Sequence, residues 1–201
     1  MDKYELIDSD VKAPGNVPLK QLRALKDFGG VKAGDLGGYV QNKHNLSQDG
    51  LCWVFEEGCV WGNGWVFCDA QLFGKAQVRD RARVFGAAQV FGKVFGRAHV
   101  YGAASVFDDA RVFEDAQVFD DAQIFGSASI CGSARVFDCA RVYGRAKVFG
   151  RAKVFGKAQV YDKAQACDDA QACDDARICG VAQACGDMKI FGDKIMRWQP
   201  Y

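Results

Sequence analysis

Few side chains in this chain are equipped to make or break bonds. Histidine occurs twice, at His44 and His99, so a metal centre built from three histidines is excluded. His99 is the candidate general base; a lone imidazole can move a proton, but single surface histidines are mostly not catalytic. Cysteine is abundant at nine residues, an odd number, and several lie inside a regular repeat. They read as reduced thiols in a cytosolic protein. The glycines recur at every sixth position, as corner-formers and not as a phosphate-cradling loop. No metal and no cofactor are expected from these residues.

The elements that must position these groups come from one six-residue repeat. It reads A-x-V-F-G-x, as in Ala146-Lys147-Val148-Phe149-Gly150-Arg151, and 24 units run from Val54 to Ile190. The aliphatic position is Val, Ile or Leu in 21 units, and the position two earlier is Ala in 19. Residues two apart share one side of an extended segment, so both point inward and the polar residue between them points out. Gly or Asp follows the aromatic, and both favour turns. Each unit is a short strand plus a corner. The apolar period is 2 within units and 6 between them, which excludes helix.

One unit cannot bury its Val alone, whereas stacked coils can. Three units per coil predict an all-β, single-stranded parallel β-helix of about 8 triangular coils, spanning roughly 40 Å at about 4.8 Å per coil. Two units per coil, a flatter solenoid, is the alternative. Burial of the branched aliphatics at about 1.5–3 kcal/mol each supplies the main driving force. The organisation reads as an N-terminal cap over 1–50, the repeat over 51–194 and a C-terminal cap or tail over 195–201. The cap carries Pro14, Pro18, paired glycines and apolar Tyr4, Leu6, Leu19, Leu22, Leu25, Phe28, Leu36 and Tyr39. Val90 and Val94 are four residues apart where every other step is six, so one corner must tighten.

The units resemble the hexapeptide repeat of left-handed parallel β-helices, a fold seen in many bacterial acyltransferases. This chain keeps the aliphatic and small residues but places an aromatic directly after the aliphatic. Leu22–Val40, Asn45-Leu46-Ser47 and Cys52-Trp53-Val54 are similar to a family of bacterial and prophage hexapeptide-repeat proteins, usually labelled acetyltransferases or polymer-forming proteins. The resemblance implies a left-handed coil. It also implies, for an enzyme, acetyl-CoA held between subunits and a histidine base, a role that only His99 is placed to take.

The outward positions suggest a different role. The residue after the aliphatic is aromatic in 18 units. With 18 residues per coil these rings form ladders, one through Tyr101, Phe119, Phe137 and Phe155, another through Phe107, Phe125, Tyr143 and Tyr161. Stacked rings shield the strands, and they also offer an adhesive face. Asp108 to Asp121 form an acidic belt, Arg135 to Lys163 a basic one including Arg145, Arg151 and Lys157, and Asp162 to Asp175 a second acidic one. Belts of opposite sign can set the register of a partner. Cys167 and Cys185, one coil apart, fall within Cα range of a disulfide; four thiolates around a prism diverge too far for a metal site.

Net charge is +1, which gives no field for nucleic acid, and no apolar run is long enough to span a bilayer. The N-terminus lacks a secretory pattern. The reading is therefore a non-catalytic, cytoplasmic interaction or assembly module, phage- or prophage-associated by resemblance, whose partner is a protein or another copy. The alternative is a CoA-dependent acyltransferase.

Overall fold

The computed structural model describes residues 2–198. Their repeat forms three parallel sheets, with strands in each sheet recurring every third element. This settles three units per coil. Each unit contributes a two-residue strand such as Lys147–Val148, which pairs with Ser129–Ile130 below and Gln165–Ala166 above. Most backbone bonds run from one coil to the next: the Lys147 N–H donates to Ala164 O (3.0 Å) and the Phe149 N–H to Ala166 O (2.9 Å), while the interior Ala N–H closes the corner within its own coil, as Ala146 N–H does on Tyr143 O (3.4 Å). The interior is the row of Val and Ala, fully buried through most of the solenoid.

There are about nine coils, one more than the repeat count implies. The extra pairing comes from both ends. Strand β3 (Leu36–Val40) runs parallel to Cys59–Val60, and Ile195–Trp198 runs parallel to Arg177–Gly180. Ahead of β3, the strands β1 (Tyr4–Ala13) and β2 (Val17–Ala24) make an antiparallel hairpin that extends the same sheet. Tyr4, Leu22, Val31 and Val40 join the solenoid core, and Tyr4 and Phe28 meet buried Trp53 edge-on. Leu36, one of the cap's apolar residues, is 57% exposed, because it begins the strand that turns onto the prism. Lys3 is buried, its ammonium donating to Cys52 O (2.9 Å) and to Asp49 O and Gly50 O (3.3 Å each). Residues 199–201 of the expected tail lie outside the described residues. No helix among the described residues is long and apolar enough to cross a membrane.

The corners explain the Gly/Asp alternation. The residue after the aromatic has a positive φ at every corner except Gly92. Glycine takes this conformation freely and Asp tolerates it better than most residues. Asp also satisfies a backbone donor: Gly126 N–H donates to Asp108 Oδ2 (2.9 Å), Gly156 N–H to Asp138 Oδ2 (3.0 Å) and Gly180 N–H to Asp162 Oδ2 (2.9 Å). Each is a carboxylate capping the corner one coil above.

At the short step the Gly92 carbonyl accepts from Gln77 N–H (3.1 Å), the bond an interior Ala makes elsewhere. Gly92 therefore stands in the Ala place, and the two missing residues are the turn pair itself.

The C-terminal coils are thinner inside, since Ala166, Ala172 and Ala184 replace the aliphatic. Here the structure joins Cys167 to Cys185 by a disulfide, with Cα atoms 4.6 Å apart, and this corrects the expectation of nine reduced thiols. The two cysteines share a corner column in successive coils, so their side chains meet. The other seven are free. Reduction is expected to lower the unfolding free energy by about 3 kcal/mol, the chain-entropy value for a loop of this length. Thermal melts with and without reductant test this, with Cys167→Ser as control; identical melting of the native chain in both conditions would show that the bond contributes nothing.

Candidate functional site

The expected ladder of Tyr101, Phe119, Phe137 and Phe155 is present and longer than the sequence reading had it. Its rings lie parallel at 4.9–5.0 Å, and Phe67 and Phe85 continue it towards the N-terminus at 4.8 Å spacing. Arg135 packs over Phe119 and Phe137, its guanidinium carbon 5.1 and 5.4 Å from the ring centroids, with its Nε buried and without a hydrogen-bond partner. Most rings are half-buried because each covers its neighbour's face; edges, not faces, meet solvent. The other expected ladder runs in two stretches, Phe55–Phe73–Phe91–Phe107 and Phe125–Tyr143–Tyr161. The 16-residue coil tilts Phe107 by 36° against Phe91, which ends the parallel run.

Arg145, Arg151 and Lys157 do not form a patch. Each follows a strand of a different sheet, so they ring one coil at three corners. Arg151 pairs with Asp169 one coil above. Lys157 lines a groove with Arg141, Gln159, Asp175 and Arg177, and Arg145 lines another with Asp162 and Lys163. Asp108, Glu114 and Asp120 lie at the same three corners two coils earlier, roughly 10 Å along the axis. Of each acidic pair at these corners, the first residue takes the positive-φ place. Asp108 and Glu114 there also accept from a glycine N–H above, and Asp109, Asp115 and Asp121 stand free of that role.

A further pattern was readable but unread. Outward strand residues are Gln, Ser, Arg, Lys, His, Trp or Cys, and none is acidic. Carboxylates of the solenoid sit only at corners. Flat faces are therefore neutral to cationic, with an acidic ring between them.

His99 lies on a flat face between Arg83 and Gln117, edge-on to Phe85 at 6.4 Å. Partial burial, then the Arg83 charge, hold its imidazole below its usual pKa. The principal grooves lie elsewhere. Because the folded protein disfavours protonated His99, its share of stability is present above about pH 6.5 and is lost as pH falls through the lowered pKa. His99→Gln is expected to flatten that segment of a stability-versus-pH curve; an unchanged curve would mean His99 is not the group titrating.

A groove of about 480 Å³ lies between the 42–48 loop and the corner 62–65, and it is lined by His44, Asn63 and Trp65. The loop is pinned from beneath. Buried Asn45 donates to Gly62 O (3.1 Å) and Gly64 O (2.8 Å), and the Tyr4 hydroxyl donates to Leu46 O (2.6 Å). Sequence reasoning placed His44 in the cap and saw no site there. The Asn42-Lys43-His44-Asn45 run was the available signal.

Cys167, Asp168 and Cys185 place three donor atoms within 4.8 Å of one another. With both sulfurs in the disulfide, only the carboxylate remains as a donor, and it already accepts from Gly186 N–H (3.2 Å).

No family model matches the chain. A 45-residue stretch, 22% of this chain, is 38% identical to the Escherichia coli (strain K12) protein named uncharacterized acetyltransferase YdcK. That stretch spans 14% of the relative's own length. The three-sided parallel coil and this short match together fit a hexapeptide-repeat family whose members carry acetyltransferase names.

Proposed function

We propose that this chain acts as a rigid interaction or assembly module, without chemistry of its own. The observation that carries the reading is the exterior. Oppositely charged rings two coils apart encircle a stiff prism whose flat faces bear no carboxylate. Such a surface recognises a protein partner, or another copy, by charge register, while the stacked rings keep it flat. A phage or prophage setting rests on the resemblance of Leu22–Val40, and a cytoplasmic setting belongs to the same proposal. The second reading is a CoA-dependent acyltransferase with His99 as base, favoured by the name of the matched E. coli protein.

Light scattering after size exclusion, across protein and salt concentrations, separates the two. A salt-sensitive dimer or larger assembly supports the module. Reversing Arg145, Arg151 and Lys157 to Glu is then expected to weaken association by tenfold or more, about 1.4 kcal/mol. If association is indifferent to salt and to the triple reversal, the charge rings do not set it. A stable trimer that turns over acetyl-CoA, with turnover lost in His99→Ala, establishes the enzyme instead.

A further inference from the structure

The geometry points to the groove of His44, Asn63 and Trp65 as a binding site for a neutral saccharide. The inference is independent of the charge rings and ladders. Three observations carry it.

The first is pre-organisation. The 42–48 loop makes one short 3-10 turn, Lys43–Asn45, closed by Asn42 and Asn45 side chains that bond each other's backbone. Asn45 is fully buried and fastened to the facing corner, and Gln48 bonds Lys3 N (2.7 Å) and Tyr4 O (3.1 Å). The walls are therefore set before a ligand arrives, which removes the ordering cost of binding.

The second is Trp65. On all but two of the strands after the first, the outward position at the start of the strand holds a polar side chain or a cation; here it holds an indole, 39% exposed, at the edge of this groove. Phe67 backs it at 4.1 Å, so the ring is held in place. The buried Trp53 and Trp61 belong to the core, and the difference in their exposure makes Trp65 unlike them.

The third is the charge of the lining. It contains no carboxylate, so a cationic ligand lacks a partner. Its single cation, Lys43, is balanced by Asp2 at 3.4 Å, so the groove carries no net positive charge to favour a phosphate. What remains open is the His44 imidazole, the Asn63 amide, the Asn42 amide N–H groups and the Ser47 hydroxyl proton. Amides, a hydroxyl and an imidazole around one exposed indole match a ring whose edge is hydroxyl groups and whose face is C–H. Such a ligand exchanges hydrogen bonds with water for hydrogen bonds with the groove and gains apolar contact on the indole.

The test uses the full chain, labelled with nitrogen-15, titrated with maltotriose, cellotriose and tri-N-acetylchitotriose into the tens of millimolar, and separately with AMP. The expected result is saturable shifts from at least one saccharide, confined to the 42–48 and 62–65 backbone and the Trp65 indole N–H. Asn63→Ala, at an exposed corner, and Trp65→Ala are each expected to weaken that binding about tenfold, as loss of an anchoring contact does. Both are surface changes, and the remaining spectrum reports that the coil is intact. Absence of shifts with all three saccharides overturns the proposal. So do shifts that survive both substitutions. Shifts at these residues with AMP alone overturn it in favour of a nucleotide site. None of these outcomes bears on salt-dependent assembly, so the two readings fail separately.

Discussion

Val118→Asp is expected to lower the unfolding free energy by at least about 4 kcal/mol, the range in which an unpaired carboxylate is forced into an apolar interior. Val118 is fully buried, paired in register with Val100 below and Val136 above. Its neighbours offer methyl groups and no free donors, because the nearby backbone amides are already bonded, Gln117 and Phe119 N–H to the coil above and Ala116 and Ala122 N–H across their own corners. Coils touch only the coils beside them, so damage at mid-solenoid also uncouples the two halves. Denaturant unfolding of Val118→Asp beside Val118→Ala measures this. The alanine change loses only methyl contacts and should cost far less, as the chain itself uses Ala at positions 166, 172 and 184. Equal losses for the two variants would mean that burial of charge is not what the interior resists.

Gly92→Ala is expected to cost about 3 kcal/mol, the upper part of the range for overpacking. A Cβ at this position would lie 2.5 Å from Ala110 O and 3.1 Å from Val106 Cγ1. The first is a backbone atom engaged in the ladder, accepting from Lys93 N–H, and it has nowhere to retreat. Unlike the other glycine corners, Gly92 has no positive φ, so the cost comes from crowding alone. Gly74→Ala is the counterpart. Its φ is +57° but the nearest atom to an added Cβ is Glu56 Oε2 at 3.7 Å, so only conformational strain of about 1 kcal/mol is expected. Circular dichroism melts of both variants decide between the two causes. If Gly74→Ala proves the more damaging, the tightened corner is not close-packed as described.

The repeat was legible because in this fold a local pattern states the long-range contacts. Ala and Val two apart dictate an inward strand face, and a corner every six residues brings residues 18 apart together. The 146–151 unit alone therefore specifies what Val148 meets, and the ladder through Tyr101 and Phe155 followed from spacing. The shortened step was visible between Val90 and Val94. That Gly92 would take an alanine's place was decided by the backbone ladder on either side. Similarly, the spacing allowed Cys167 and Cys185 to meet, while the direction of their side chains on one corner column made the bond.

The candidate site was less legible. Arg145, Arg151 and Lys157 read as a belt, yet they stand on three different corners, because six residues advance the chain by one side of the prism. The groove at His44 left almost no trace in the sequence, for a physical reason. Within the solenoid each contact repeats, so its signal is written many times. In residues 1–50 each contact occurs once, between segments with no shared period. The bond from Asn45 to Gly64 O and the burial of Lys3 exist only after the cap has folded onto the first coils. Thus the sequence by itself determined the parallel coil, its inward Val and Ala, and its outward rings. The tertiary structure alone decided which polar groups of the cap are consumed and which, around Trp65, remain free to bind.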